Sequence, residues 1–241
     1  MRRAALATAA ILLCSIDFAS PAIAEPPPDF DLSHHPSPAL SPGVGIGIYD
    51  ADNQPVDTCT AGWLIHDGNG QPGLLTAGHC DDGGDVTFFN QAKGFQIVGA
   101  FTHKALGGEH GEDEDIAVLG IGNATPGPPV PTDARIIGVR PIVRPVEETR
   151  LVKGQQLCHF GLISGPRRGG PECGPIVELR PTTVRFDAHV TEGDSGGPVY
   201  VRNADGTATP VGITIRDGDD GGTVAQLIGP WLTRWHLRLD A

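Results

Sequence analysis

The stretch Gly193-Asp194-Ser195-Gly196-Gly197-Pro198 decides how this chain is read. A serine set among glycines lies in backbone that bends sharply and turns successive N–H groups toward one point, which glycine allows without a Cβ penalty. Such N–H groups can hold an oxyanion, so Gly193 and Ser195 are candidate donors to a tetrahedral intermediate. Asp194 reads as a brace for the loop and not as a reacting group.

A serine hydroxyl is a poor nucleophile at neutral pH and needs an imidazole to take its proton during attack on a carbonyl. Far upstream, Thr76-Ala77-Gly78-His79-Cys80 supplies His79 as the candidate base. The imidazole must be held in one tautomer, and the imidazolium that forms needs a buried carboxylate behind it. Asp115, which opens the strand-like run Asp115-Ile116-Ala117-Val118-Leu119, is the candidate for that role.

In the chain order His79, Asp115, Ser195, these segments resemble the chymotrypsin-like serine peptidases. The hallmarks of that family are Ala-Gly-His-Cys around the base and Gly-Asp-Ser-Gly-Gly-Pro around the nucleophile. The chain is more closely similar to the small secreted bacterial branch of streptogrisins and α-lytic protease, over roughly residues 42 to 239. The resemblance implies an all-β fold of two packed six-stranded antiparallel β-barrels with a short C-terminal helix. It also implies a serine endopeptidase that works through an acyl-enzyme on peptide or protein substrates, as a monomer and with no cofactor. His79 and Asp115 would come from the first barrel and Ser195 from the second. Two disulfides follow from the same likeness, Cys59 with Cys80 and Cys158 with Cys173.

Residues 1–24 read as a secretory signal, with Arg2 and Arg3 at the start, the apolar run Ala4 to Leu13, and Ala22-Ile23-Ala24 as the cleavage site. Removing them removes Cys14 and leaves four cysteines, an even number suited to an oxidising compartment. The pairs lack the close ligand spacing of a structural zinc site, so no metal is expected. The apolar run is too short for a retained spanning helix, and no later segment replaces it, so no membrane anchor is expected. The formal net charge is −12; Arg2, Arg3 and Asp17 together carry +1, which leaves −13 on the rest. That balance disfavours nucleic acid as a partner.

Residues 25–42 are rich in Pro and polar residues and read as an extended arm with no core of its own. Short apolar or alternating runs then recur between Gly, Pro, Asn and Asp clusters: 46–49, 62–65, 86–89, 95–101 and 116–121. After a proline-rich connector at 124–131 they resume at 136–139, 157–160, 176–179, 183–186, 198–201 and 211–215. This break predicts two β-units of similar size, which the resemblance makes a first barrel at 43–123 and a second at 132–241. Only the end looks helical, with Pro230 at a first helical position and Trp231, Leu232 and Trp235 on one face.

The chain departs from the family pattern around the expected substrate pocket, for which the candidates are His189, Thr214, Arg216 and Asp217. His189 stands where relatives place a cysteine. Ile215 stands where they place a serine that hydrogen-bonds the carboxylate, which predicts a less well satisfied Asp115. These changes leave open a second reading, a catalytically weak or inactive binding module on the peptidase fold. His189 and Arg216 favour an acidic side chain at the scissile bond, whereas Asp217, Asp219 and Asp220 favour a basic one. The acidic run Glu109, Glu112, Asp113 and Glu114 shows no regular calcium-loop spacing and reads as solvated, and His66, His103, His110, His159 and His236 read as surface or packing residues.

Overall fold

Eight short strands fill the first half of the chain: β1 Gly45–Asp50, β2 Pro55–Thr60, β3 Leu64–His66, β4 Pro72–Thr76, β5 Gly83–Asn90, β6 Gly94–Gly99, β7 Phe101–Gly107 and β8 Glu114–Gly120. The structure is a computed structural model and describes residues 31–52, 54–108, 114–123, 128–143, 150–218 and 221–241. The signal-like segment, the first part of the arm, His110, Asp219, Asp220 and all of the acidic run except Glu114 lie outside the described residues.

These strands pair in two antiparallel sheets, β2-β1-β5-β6 and β3-β4-β8-β7. Two bends join them. β2 runs into β3 across Ala61-Gly62-Trp63, and β6 runs into β7 across Ala100. Counting each bent pair as one path gives six strands that close on themselves, with corners made by strands that switch sheets. The alternating apolar residues Ile46, Ile48, Leu74, Val86, Phe88, Ile116 and Leu119 are all but fully buried and share one core. Burial of each such side chain contributes roughly 1.5–3 kcal/mol.

The second barrel consists of β9 Gln156–His159, β10 Glu172–Leu179, β11 Thr183–Phe186, β12 Pro198–Arg202, β13 Ala208–Asp217 and β14 Thr223–Leu227. It closes in the order β10-β11-β14-β13-β12-β9 around Leu157, Val184, Phe186, Val199 and Ala225. β13 carries a bulge: Thr214 faces Ala225 and Arg216 faces Val224, so Ile215 is the extra residue. Two short helices follow the strands, α1 Ser164–Arg168 and α2 Gly229–Arg234.

Three expectations change on folding. The run 136–139 is not a strand but a turn: Ile136 bridges Arg140, and Ile137 takes a positive φ of 46°. The arm, expected to have no core of its own, gains contacts with the barrel: Leu32 and Leu40 are buried and Ser37 pairs with Asn90. The C-terminus does not stay with the second barrel, since β15 Arg238–Leu239 pairs with β3. Trp231, Leu237 and Leu239 are buried in a core cluster that draws residues from both barrels, and Trp235 packs against it. Pro230 occupies the first turn of α2, where its missing N–H costs nothing.

Candidate active site

His79 sits in a single 3-10 turn, Gly78–Cys80, that ends β4. Asp115, buried near the start of β8, grips it twice. Its Oδ1 accepts from the His79 backbone N–H at 2.9 Å, and its Oδ2 meets His79 Nδ1 at 2.7 Å. With Nδ1 engaged as the donor, Nε2 is the ring nitrogen left to take a proton. Burial pushes the imidazole pKa down, but the hydrogen bond and charge of Asp115, helped by the charges of Asp57 and Asp82, outweigh it and leave the pKa raised.

Ser195 lies on the tight loop before β12, half-buried. Gly193 and Gly196 take φ of 91° and 87° there, and a Cβ on Gly196 would come within 2.4 Å of the Thr60 carbonyl. Any side chain at Gly196 is therefore excluded twice, by backbone strain and by contact. The buried Asp194 is the brace. Its Oδ1 accepts from Ile163 N at 2.9 Å and Ser164 N at 3.0 Å, and its Oδ2 accepts from Thr191 N at 3.0 Å.

Thr60, at the end of β2, ties this loop to the first barrel. Its N–H donates to Ser195 O at 2.7 Å and its hydroxyl to Gly193 O at 2.7 Å. The N–H groups of Asp194, Gly196 and Gly197 are spent on Thr191 O, Thr214 O and Asp194 O. Among the described residues, those of Gly193 and Ser195 donate to no backbone carbonyl. The neighbour of Thr60 is Cys59, which is bonded to Cys80, and Cys80 follows His79. A ring nitrogen of His79 lies within 4.8 Å of both sulfurs. This Cys-His-Cys group has the proximity of a metal site, but the disulfide consumes both thiols and leaves one imidazole as ligand. The second pair, Cys158 with Cys173, joins β9 to β10.

No family model matches the chain. An uncharacterized protein of Mycobacterium tuberculosis (strain CDC 1551 / Oshkosh) is 29% identical over 167 residues, which take in 64% of this chain and 66% of that relative's length. The chain thus spans just under two thirds of the curated relative it matches. Among solved structures, a Nocardiopsis protease superposes with a TM-score of 0.57 at 23% identity, over 84% of this chain and 100% of the other. A glutamic acid specific serine protease, described as using a novel histidine triad in substrate binding, gives 0.58 at 17% identity, over 83% and 100%. The fold is that of the bacterial chymotrypsin-like serine proteases.

Within this chymotrypsin-like fold, the pocket candidates separate by burial. Thr214 is fully buried and holds the Ser195 loop through its backbone, donating to Gly197 O at 2.8 Å and accepting from Gly196 N. Arg216 is half-buried, Asp217 exposed, and His189 exposed. Thr223 brings the last two to one end of the sheet: it pairs with Asp217 in register, and its hydroxyl donates to Ala188 O at 2.8 Å. His159, read from sequence as surface or packing, is a buried tie to the same loop. Its Nε2 meets His189 O at 2.6 Å, and burial pushes its pKa down.

Ile215 is buried, yet the Asp115 carboxylate does not go short, because both oxygens accept from His79. The Asp115 backbone N–H donates to Gln226 Oε1 at 3.0 Å. Thr60 and Gln226 were not legible as site residues. A buried Thr or Gln within a strand gives no local signal, since its partners lie 133 and 111 residues away.

Proposed function

We propose that the chain is a secreted serine endopeptidase. Ser195 Oγ attacks the scissile carbonyl carbon while His79 Nε2 takes its proton, and Asp115 holds the imidazole through Nδ1 and steadies the imidazolium. The Gly193 and Ser195 amides receive the oxyanion. Collapse of the tetrahedral intermediate breaks the C–N bond, His79 passes its proton to the leaving amine, and an acyl-enzyme remains on Ser195. Water, deprotonated by His79, then releases the acid and regenerates the hydroxyl.

The observation that carries this reading is the double grip of Asp115 on His79, joined through Cys80, Cys59 and Thr60 to a loop whose Gly193 and Ser195 amides donate to no backbone carbonyl among the described residues. Export is supported by the signal-like pattern of residues 1–24 and by two disulfides, which persist in oxidising compartments. The test is labelling of folded protein lacking residues 1–24 with a fluorophosphonate, mapping of the adduct, and assay of Ser195→Ala on a peptide library. An adduct on Ser195, with turnover abolished in the variant, is the expected result. No adduct, together with ligand binding that survives Ser195→Ala, would replace the peptidase reading with the binding-module one.

A further inference from the structure

Asp115 stands on β8 past the end of the ladder that β4 provides: β4 pairs with β8 only as far as Thr76 opposite Ala117. Its N–H therefore has no strand partner on that side, and a buried N–H left unpaired is costly. The group that takes it up comes from the other barrel. Gln226, fully buried on β14, accepts from Asp115 N through Oε1 at 3.0 Å and donates through Nε2 to Thr182 O, just before β11, at 2.7 Å. The amide has one orientation that satisfies both, since an N–H can meet only Oε1 and a carbonyl only the NH2.

Gln226 also lies directly opposite Ile213 across the β13-β14 ladder, next to Thr214, whose carbonyl receives Gly196 N from the Ser195 loop. One residue thus bonds Asp115 through its side chain and pairs through its backbone with the strand that seats Ser195. Because Asp115 holds both the backbone and the ring of His79, a shift of the Asp115 backbone would be passed on to the imidazole. Misplacement of about 1 Å at a reacting group can cost on the order of 100-fold in rate. Ile215, buried beside Thr214, offers no side-chain donor, and the Gln226 contact reaches Asp115 from the second barrel.

We infer that Gln226 is a positioning residue that sets the register of Asp115 and His79 against the strand pair seating Ser195, an inference that rests on the peptidase reading for its kinetic consequence. Gln226→Met keeps length and volume but removes both bonds, whereas Gln226→Glu, when protonated, restores an acceptor and a donor. The expected result for Gln226→Met is a kcat lower by about tenfold with KM within about twofold. In a Ser195→Ala background, NMR should show the His79 pKa falling toward its ordinary value and the Nδ1 proton signal moving. Gln226→Glu should recover part of the lost kcat and of the NMR signature. A Gln226→Met protein with unchanged kcat and unchanged His79 titration would overturn the inference. If Gln226→Met does not fold, Gln226→Glu carries the test: a wild-type His79 titration through the pH range where the introduced carboxyl ionises would overturn it. Should the wild-type protein show no turnover, the peptidase reading fails, while the two His79 titrations still decide whether Gln226 positions the dyad.

Discussion

Thr60 holds the Ser195 loop by two bonds, backbone N–H to Ser195 O and hydroxyl to Gly193 O, both 2.7 Å. Fixing those two carbonyls fixes the peptide planes of the loop, and with them the directions of its N–H groups. The Thr60 hydroxyl also accepts from Leu162 N at 3.0 Å, so three segments meet on one buried side chain.

Thr60→Val keeps the shape and removes the hydroxyl, leaving Gly193 O and Leu162 N without that partner. We expect a loss of about 2 kcal/mol in urea unfolding, the scale of an unsatisfied buried group. We also expect kcat to fall by about tenfold with little change in KM, because the proposed oxyanion donors would matter most in the transition state. Equal loss in kcat and gain in KM would argue against this role.

Asp194→Asn should be more severe. The substitution removes a buried charge that accepts three backbone N–H bonds and turns an NH2 toward N–H donors. Bonds to a charged acceptor contribute about 1.5–3 kcal/mol each, so stability should drop by at least about 3 kcal/mol. Fluorophosphonate labelling of Ser195 should vanish at temperatures where far-UV circular dichroism still reports folded strands.

The raised pKa of His79 sets the pH profile. In the proposed mechanism only neutral imidazole accepts the serine proton, so kcat/KM should rise with pH through a value above the ordinary histidine value of about 6.5. Asp57→Asn or Asp82→Asn removes an acidic neighbour and should move that limb to lower pH, by less at high salt because both residues are exposed. The stability contribution has the opposite course: the folded state favours the charged ring, so His79 stabilises fully below pH about 6.5 and ceases to do so as pH rises through the raised value. A limb at or below the ordinary value, unmoved by either variant, would contradict this.

Removing the Cys59–Cys80 bond should affect activity beyond stability. Its sequence separation is 21, for which loop-closure entropy predicts roughly 3 kcal/mol. The Cys158–Cys173 bond, with a separation of 15, predicts nearly the same. Only the first links the strand of Thr60 to the turn of His79. Paired Cys→Ala variants should thus lose comparable stability in urea, while the kcat of the Cys59/Cys80 variant falls further.

The barrels were legible where apolar residues alternate, as in β1, β5 and β11, and where they run on without a break, as in the doubly buried β8. β2 reads Pro-Val-Asp-Thr-Cys-Thr and begins exposed, so its strand character comes from pairing with β1 and not from its own pattern. β7 and β14 escaped for related reasons: β7 is a largely exposed strand, and β14 is buried on both faces without a long apolar run. The short α1 escaped because Pro166 and two basic residues give no apolar stripe, and Asp194 meets the N–H groups at its start.

Local chemistry in the chain determined which residue types could serve as nucleophile, base and carboxylate, because motifs such as Gly193 to Pro198 encode their own backbone geometry and their own reactive group. Tertiary structure alone decided what holds those groups in register. Thr60 and Gln226 act through hydrogen bonds between segments more than 100 residues apart, and the C-terminal strand completes a sheet begun at β3. A hydrogen bond depends on distance and direction in space, and neither is written in the order of residues until the chain has closed its two barrels.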